Sequence, residues 1–272
     1  MFAGIIKEPG RRWLWILVAL VGLPVSCAAE QRAELERVGR RNVERFEART
    51  YRHARGQMMP YRLFVPAGYD AHKKYPLVLY LHGGGGRGDD NVKQVMEGNG
   101  AIINLLTKPE TQEKYASIVV APQCPEGELW TTLDEHVKPT KHLLLVLDLL
   151  AELQKEFSID AGRIYVAGQS MGGYGSWALV AERPSMFAAA LPLCGGGDTA
   201  KAAQFVRTPV WAFHGERDES VRVELSRRMV AAIREAGGQP RYTEYKGEGH
   251  VIWNKVAGEP ELVAWFFAQK RN

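Results

Sequence analysis

The sequence predicts an α/β fold, with a mostly parallel central sheet of about eight strands and helices on both faces. Three observations carry that expectation. Residues 77–81 form a near-continuous apolar run, and 117–121 repeat it, as strands covered on both faces require. Residues 141–157 place Leu144, Leu147, Leu150 and Leu153 at helical spacing, an amphipathic helix between strands. Arg163-Ile164-Tyr165-Val166 then runs into Gly168-Gln169-Ser170-Met171-Gly172 and on into helix-compatible sequence. That is a strand–turn–helix unit built around one serine.

The 272 residues fit one large α/β domain or two small ones, and 46% hydrophobic content suffices for a full core. Net charge is +4, of which Lys7, Arg11 and Arg12 against Glu8 supply +2. No run interleaves basic and aromatic residues, which argues against a nucleic-acid partner. Three cysteines without a Cys-x-x-Cys pair argue against a disulfide framework and a zinc cluster. No metal and no cofactor are expected. Cys124 and Cys194 leave strands that are not expected to be neighbours, so no bridge between them is expected.

At the N-terminus, Arg11-Arg12 precede an apolar stretch from Trp13 to Leu23, then Pro24 and Val25-Ser26-Cys27-Ala28-Ala29. A basic start, a short apolar core and a small-residue end describe an export signal over residues 1–28. The apolar run is shorter than the roughly 20 residues a membrane span needs. Cys27 follows a segment that resembles a lipoprotein processing site, which makes it a candidate lipid anchor. Ser26 and Ala28 also suit ordinary cleavage before Ala29. Residues 29–49 are densely charged with alternating signs and read as a tether or a surface helix. Residues 50–272 read as the catalytic domain.

Within that domain, 51–54 and 61–65 alternate as two antiparallel edge strands. The run at 77–81 is followed by His82-Gly83-Gly84-Gly85-Gly86-Arg87-Gly88-Asp89-Asp90. A phosphate-binding loop needs Lys-Ser or Lys-Thr after its last glycine. Here Asp89 stands there, and two carboxylates would repel phosphate. The loop instead suits an oxyanion site, with the N–H of Gly84 or Gly85 and that of Met171 as donors. Asp89 or Asp90 can cap the next helix, which spans 91–106 with a break at Gly98-Asn99-Gly100. The loop after 117–121 carries Trp130, which suits either a substrate wall or a packing role. Strands at 187–193, 208–215 and 241–245, a helix from 220 or 221 to 236, and a last helix from about Pro260 complete the pattern.

Gly-x-Ser-x-Gly between strand and helix is the nucleophile elbow of the α/β-hydrolases, whose triad runs in the order Ser, acid, His. Only His214 and His250 follow Ser170, and only Asp198 and Asp218 among aspartates. His214 precedes the favoured acid and is expected to be buried and structural. His250 lies in a glycine-rich loop after the last strand and is the expected base. Asp218 is preferred to Asp198 because it follows the penultimate strand. Each role has a reason. The serine hydroxyl needs a base to become nucleophilic, and the acid fixes the imidazole tautomer. Gln169, Tyr174 and Trp130 are the expected pocket residues.

Leu79-Tyr80-Leu81-His82-Gly83-Gly84-Gly85, Ala121-Pro122-Gln123-Cys124-Pro125, the segment from Val166 to Gly175, and Phe213-His214-Gly215 with Asp218 together resemble one family. It is the secreted α/β-hydrolase carboxylesterase group often labelled predicted peptidase. That group stands near the phospholipase/carboxylesterase and dienelactone-hydrolase branches. The likeness runs from about Tyr61 to Phe267. Arg222 stands where the family often has Pro. The resemblance implies a metal-independent serine hydrolase acting on a small-molecule or polymer-linked ester through an acyl-serine intermediate. A prolyl-oligopeptidase-type peptidase and a non-catalytic exported binding protein are the alternative expectations. The oligomeric state stays open.

Overall fold

A computed structural model of the chain describes residues 25–134 and 136–271. The expected export signal therefore lies almost wholly outside the described residues. Helix α1 spans Val25–Arg45 and leads into strands β1 (Glu47–Arg52) and β2 (Met58–Phe64). Then come β3 (Tyr75–Leu81), α2 (Lys93–Met96), α3 (Ala101–Thr107), α4 (Pro109–Lys114), β4 (Ile118–Pro122) and α5 (Lys141–Glu156). The second half alternates β5 (Ile159–Gln169), α6 (Met171–Glu182), β6 (Ala189–Leu193), β7 (Trp211–Gly215), α7 (Glu224–Glu235) and β8 (Arg241–Tyr245). It closes with α8 (Trp253–Ala257) and α9 (Leu262–Ala268). Among the described residues, no helix is long and apolar enough to cross a membrane.

The strands form one sheet of eight in the order β1-β2-β4-β3-β5-β6-β7-β8. β1 and β2 are antiparallel, as is the pairing of β2 with β4; the pairings from β4 onward are parallel. Parallel neighbours need long crossovers, and the helices supply them. Side chains along a strand alternate between faces, so each central strand feeds two cores. Leu77, Leu79 and Leu81 join Ile164 and Val166 under α5, α6 and α7, while Val78, Tyr80, Tyr165 and Ala167 join α3, α8 and α9 on the other face. Each such buried aliphatic side chain contributes roughly 1.5–3 kcal/mol.

Three details differ from the sequence pattern. The buried residues of α5 are Leu143, Leu145, Val146, Leu149, Leu150 and Leu153, and Leu144 is 41% exposed. The apolar run at its start offers two registers one residue apart, and packing selects the one that buries Val146. α7 begins only at Glu224, because the turn after β7 consumes the residues before it. The short helix α8 interrupts the segment expected to be loop between β8 and the last helix.

The charged N-terminal segment folds as α1 and packs on the rest of the fold. Buried Asn42 donates from Nδ2 to the carbonyls of Val95 (3.3 Å) and Gly100 (3.2 Å). Arg62, on β2, donates to the carbonyls of Val43 and Phe46 and ties the helix end to the sheet.

Candidate active site

The parallel strands deliver their loops to one edge of the sheet, and the elbow lies there. Ser170 sits between β5 and α6 with φ 54 and ψ −117, a conformation that a side-chain-bearing residue adopts only under constraint. Two backbone bonds hold it: Ser170 N–H donates to Leu193 O (2.8 Å), and Tyr174 N–H donates to Ser170 O (3.1 Å). Gly172 has no room for a side chain, because a Cβ would overlap the Leu81 carbonyl. Strand, loop and helix therefore touch backbone to backbone at the serine.

His250 follows β8, and its Nε2 lies 2.8 Å from Ser170 Oγ. Its Nδ1 lies 2.6 Å from Asp218 Oδ2. A carboxylate can only accept when ionised, so Nδ1 carries the proton and Nε2 is free to accept from the serine hydroxyl. The structure thus brings together the three residues expected to act together. Asp198 is elsewhere in function: its Oδ1 accepts from Ala200 N–H and begins the turn Thr199–Phe205.

Asp218 is buried at 6% exposure, and each of its oxygens is occupied. Oδ1 accepts the N–H groups of Ser220 (2.9 Å) and Val221 (2.8 Å). Oδ2 meets both His250 and His214, the latter at 3.2 Å. Burial alone would raise this carboxyl; the hydrogen bonds from His214, His250 and Val221 outweigh it and hold the group well below the usual carboxylate range. His214 is fully buried, with Nε2 2.9 Å from Val221 O and Nδ1 2.7 Å from Ser226 Oγ. Its burial agrees with the sequence reading, but its contact with the acid was not legible.

On the opposite side, the glycine loop lies against the elbow; a Cβ on Gly83 would stand 3.2 Å from Gln169 O. Gly85 cannot serve as the oxyanion donor expected of it. Its N–H donates to Glu97 Oε1 at 2.7 Å, so it has no proton to offer a substrate. Gly83 N–H donates to the other oxygen of the same carboxylate. Among the described residues no acceptor meets the N–H of Gly84 or that of Met171, the first residue of α6. The start of a helix leaves such donors unpaired and carries partial positive charge.

Two expected pocket residues are also reassigned. Trp130 is 0% exposed; its Nε1 donates to His82 O (3.0 Å) and its ring packs on that of His82. It supports the loop from behind and cannot wall a substrate. Gln169 is 1% exposed, and its amide is covered by Gly98, where φ is +61 and a Cβ would collide with it. Both lost their pocket role to burial, which a residue's place in a motif does not reveal. Tyr174 remains partly exposed, packed against Gly196 and near Asp218.

His82 joins two strand ends: Nε2 accepts from Cys124 N–H (2.9 Å) and Nδ1–H donates to Gly83 O (2.6 Å). Burial lowers its pKa to about 4, so it stays a neutral brace. Cys124 and Cys194 are free and buried. Cys194, His214 and Asp218 form a group with potential metal-ligating atoms within 4.8 Å of one another. Their hydrogen bonds to each other and to their neighbours already engage both Asp218 oxygens and both His214 nitrogens.

An eight-stranded, mostly parallel sheet with a strained serine between strand and helix defines an α/β-hydrolase fold. Within it, the chain belongs to the Esterase family, described as "Putative esterase", whose model matches residues 53–254. A thermostable esterase of known structure superposes with a TM-score of 0.80 at 41% identity, over 84% of this chain and 64% of that one. "Probable feruloyl esterase C" of Aspergillus flavus is 30% identical over 136 residues, 50% of this chain and 46% of that protein. The chain thus spans about half the length of that relative. A feruloyl esterase module from Clostridium thermocellum complexed with sinapinate shares the fold, with a TM-score of 0.60 at 17% identity over 84% of this chain and 89% of that one.

Proposed function

We propose that the protein is an exported serine carboxylic-ester hydrolase. The observation that carries this reading is the unbroken line from Ser170 Oγ through the His250 ring to Asp218, 2.8 and 2.6 Å. His250 Nε2 takes the hydroxyl proton as Ser170 Oγ attacks the ester carbonyl carbon. The N–H groups of Gly84 and Met171 receive the oxyanion, and Asp218 stabilises the imidazolium. His250 then gives its proton to the departing alcohol oxygen as the carbon–oxygen bond breaks, leaving acyl-Ser170. Water repeats the sequence, releasing the acid and restoring the serine.

A relative named feruloyl esterase and a feruloyl esterase module of the same fold support a small or polymer-linked ester, a feruloyl ester among them, as substrate. Residues 1–28 are assigned to export and the rest to the mature enzyme. Cleavage before Ala29 and lipidation of Cys27 differ in the mass of the mature N-terminus.

The test is fluorophosphonate labelling with mass mapping, beside assays on p-nitrophenyl acetate, methyl ferulate, acetylated xylan and peptide amides. A single adduct on Ser170 and turnover of esters above amides are expected. Cleavage of amides without ester turnover would sink the reading, as would an adduct elsewhere.

A further inference from the structure

We infer that Glu97 is the positioning residue of the oxyanion hole, holding the glycine loop so that, of the loop amides, the Gly84 N–H is the one that faces the substrate oxygen. The inference rests on the serine-hydrolase reading above and adds to it a residue outside the triad.

Three consecutive peptide units of the loop have their polar groups almost fully paired. In the first, His82 O accepts from Trp130 Nε1 and Gly83 N–H donates to Glu97. In the second, Gly83 O accepts from His82 Nδ1 and, at 3.3 Å, from Gly86 N–H. In the third, Gly84 O accepts from Arg87 Nε (2.9 Å) and Gly85 N–H donates to Glu97 (2.7 Å). One group is left over among the described residues, the Gly84 N–H of the second unit. Gly83 has extended backbone, φ −82 and ψ −165, and neighbouring amides in extended chain point opposite ways. Clamping the Gly83 N–H to Glu97 therefore turns the Gly84 N–H away from that carboxylate.

A loop of four glycines has no side chains to define it and large conformational freedom. Something must hold it, and the two oxygens of one carboxylate do so at alternate amides. Glu97 is itself held. Asn42 of α1 ties down Val95 O and Gly100 O on either side of it, and Gly98 rests on Gln169 and Trp253.

The experiment is steady-state kinetics of Glu97→Gln in the full chain with p-nitrophenyl acetate. A glutamine has one acceptor oxygen, so one of the two amides would face an NH₂ group and the loop would lose its clamp. We expect kcat to fall about 10- to 100-fold, less than outright loss of a donor, with KM within about threefold. Affinity for a trifluoromethyl ketone, which becomes tetrahedral on Ser170, should fall by the same factor as kcat/KM. Unchanged kcat in a folded variant would overturn the inference, as would a loss that vanishes once corrected for the folded fraction. If Glu97→Gln does not fold, Arg87→Met releases the other end of the third peptide and should give the same kcat-selective loss, about 3- to 10-fold; no loss would again overturn it. A wild type that neither labels at Ser170 nor turns over esters would instead remove the reading beneath.

Discussion

The two sides of the serine each rest on one carboxylate, and the two are held in opposite ways. Asp218 is gripped by two histidines and two backbone amides, and its carboxyl is pushed down. Glu97 is gripped chiefly by glycine amides; burial raises its carboxyl, and the amide hydrogen bonds offset only part of that. Two ring N–H groups and a backbone amide outweigh desolvation at Asp218, whereas the glycine amides at Glu97 do not. The difference matches what each side is asked to do in the proposed mechanism. The base side must stabilise a positive imidazolium, which needs a full negative charge. The oxyanion side must hold its glycine amides in place, which needs two acceptor oxygens rather than a strongly ionised group. Trp253 touches both, edge-on to the His250 ring and against Gly98.

The largest expected effect separates these sides most sharply. Asp218→Asn should lower kcat about 10⁴-fold, because an amide can present its NH₂ to Nδ1 and stabilise the wrong imidazole tautomer. Glu97→Gln, the matching change on the other side, should cost far less. Equal losses in the two variants would break the comparison, and the two kcat values decide it.

His214 tests whether the second histidine matters to the first. It shares Asp218 Oδ2 with His250, so it fixes where that oxygen lies. His214→Leu should lower kcat roughly 10-fold and also destabilise the fold, since it leaves the Val221 carbonyl unpaired, a loss of about 1–3 kcal/mol. His214→Gln keeps a donor near the Nε2 position and should recover most of the kcat while regaining less stability. Matching kcat in the two variants would leave His214 a packing residue only.

Much of this site was legible before any coordinates, and the rest was not, for identifiable reasons. That Ser170, Asp218 and His250 would meet could be read because a tight elbow demands glycines at fixed offsets and because chain order leaves few candidates. The central strands could be read because burial on both faces removes polar residues. Trp130 and Gln169 failed as pocket residues because burial depends on what packs over them. Gly85 failed because its partner, Glu97, comes 12 residues later from a helix break that carries no motif. An acid immediately before Gly-Asn-Gly in an interrupted helix was the available hint. The contact of His214 with Asp218 spans four residues of a turn whose shape only the fold defines.

The smallest expected effect is the most direct reading of the two carboxylates. Asp218 has a folded pKa below its ordinary 3.8, so its stabilising contribution is present above that value and is lost as pH falls below it. Glu97 has a folded pKa above its ordinary 4.5, so its contribution is present below that value and is lost as pH rises through the folded one. Wild type should therefore lose stability relative to Asp218→Asn as pH drops from about 4 toward 3, and relative to Glu97→Gln as pH climbs from about 4.5 toward neutrality. Shifts of about 2–4 °C in Tm are the size that one kcal/mol produces in a domain this large. Thermal melts of the three proteins from pH 3 to 7 check it. Differences that run in the same direction for both variants would mean that the two sides are not built on opposed carboxylates. Opposite slopes would tie the chemistry of each side to the groups that hold its acid.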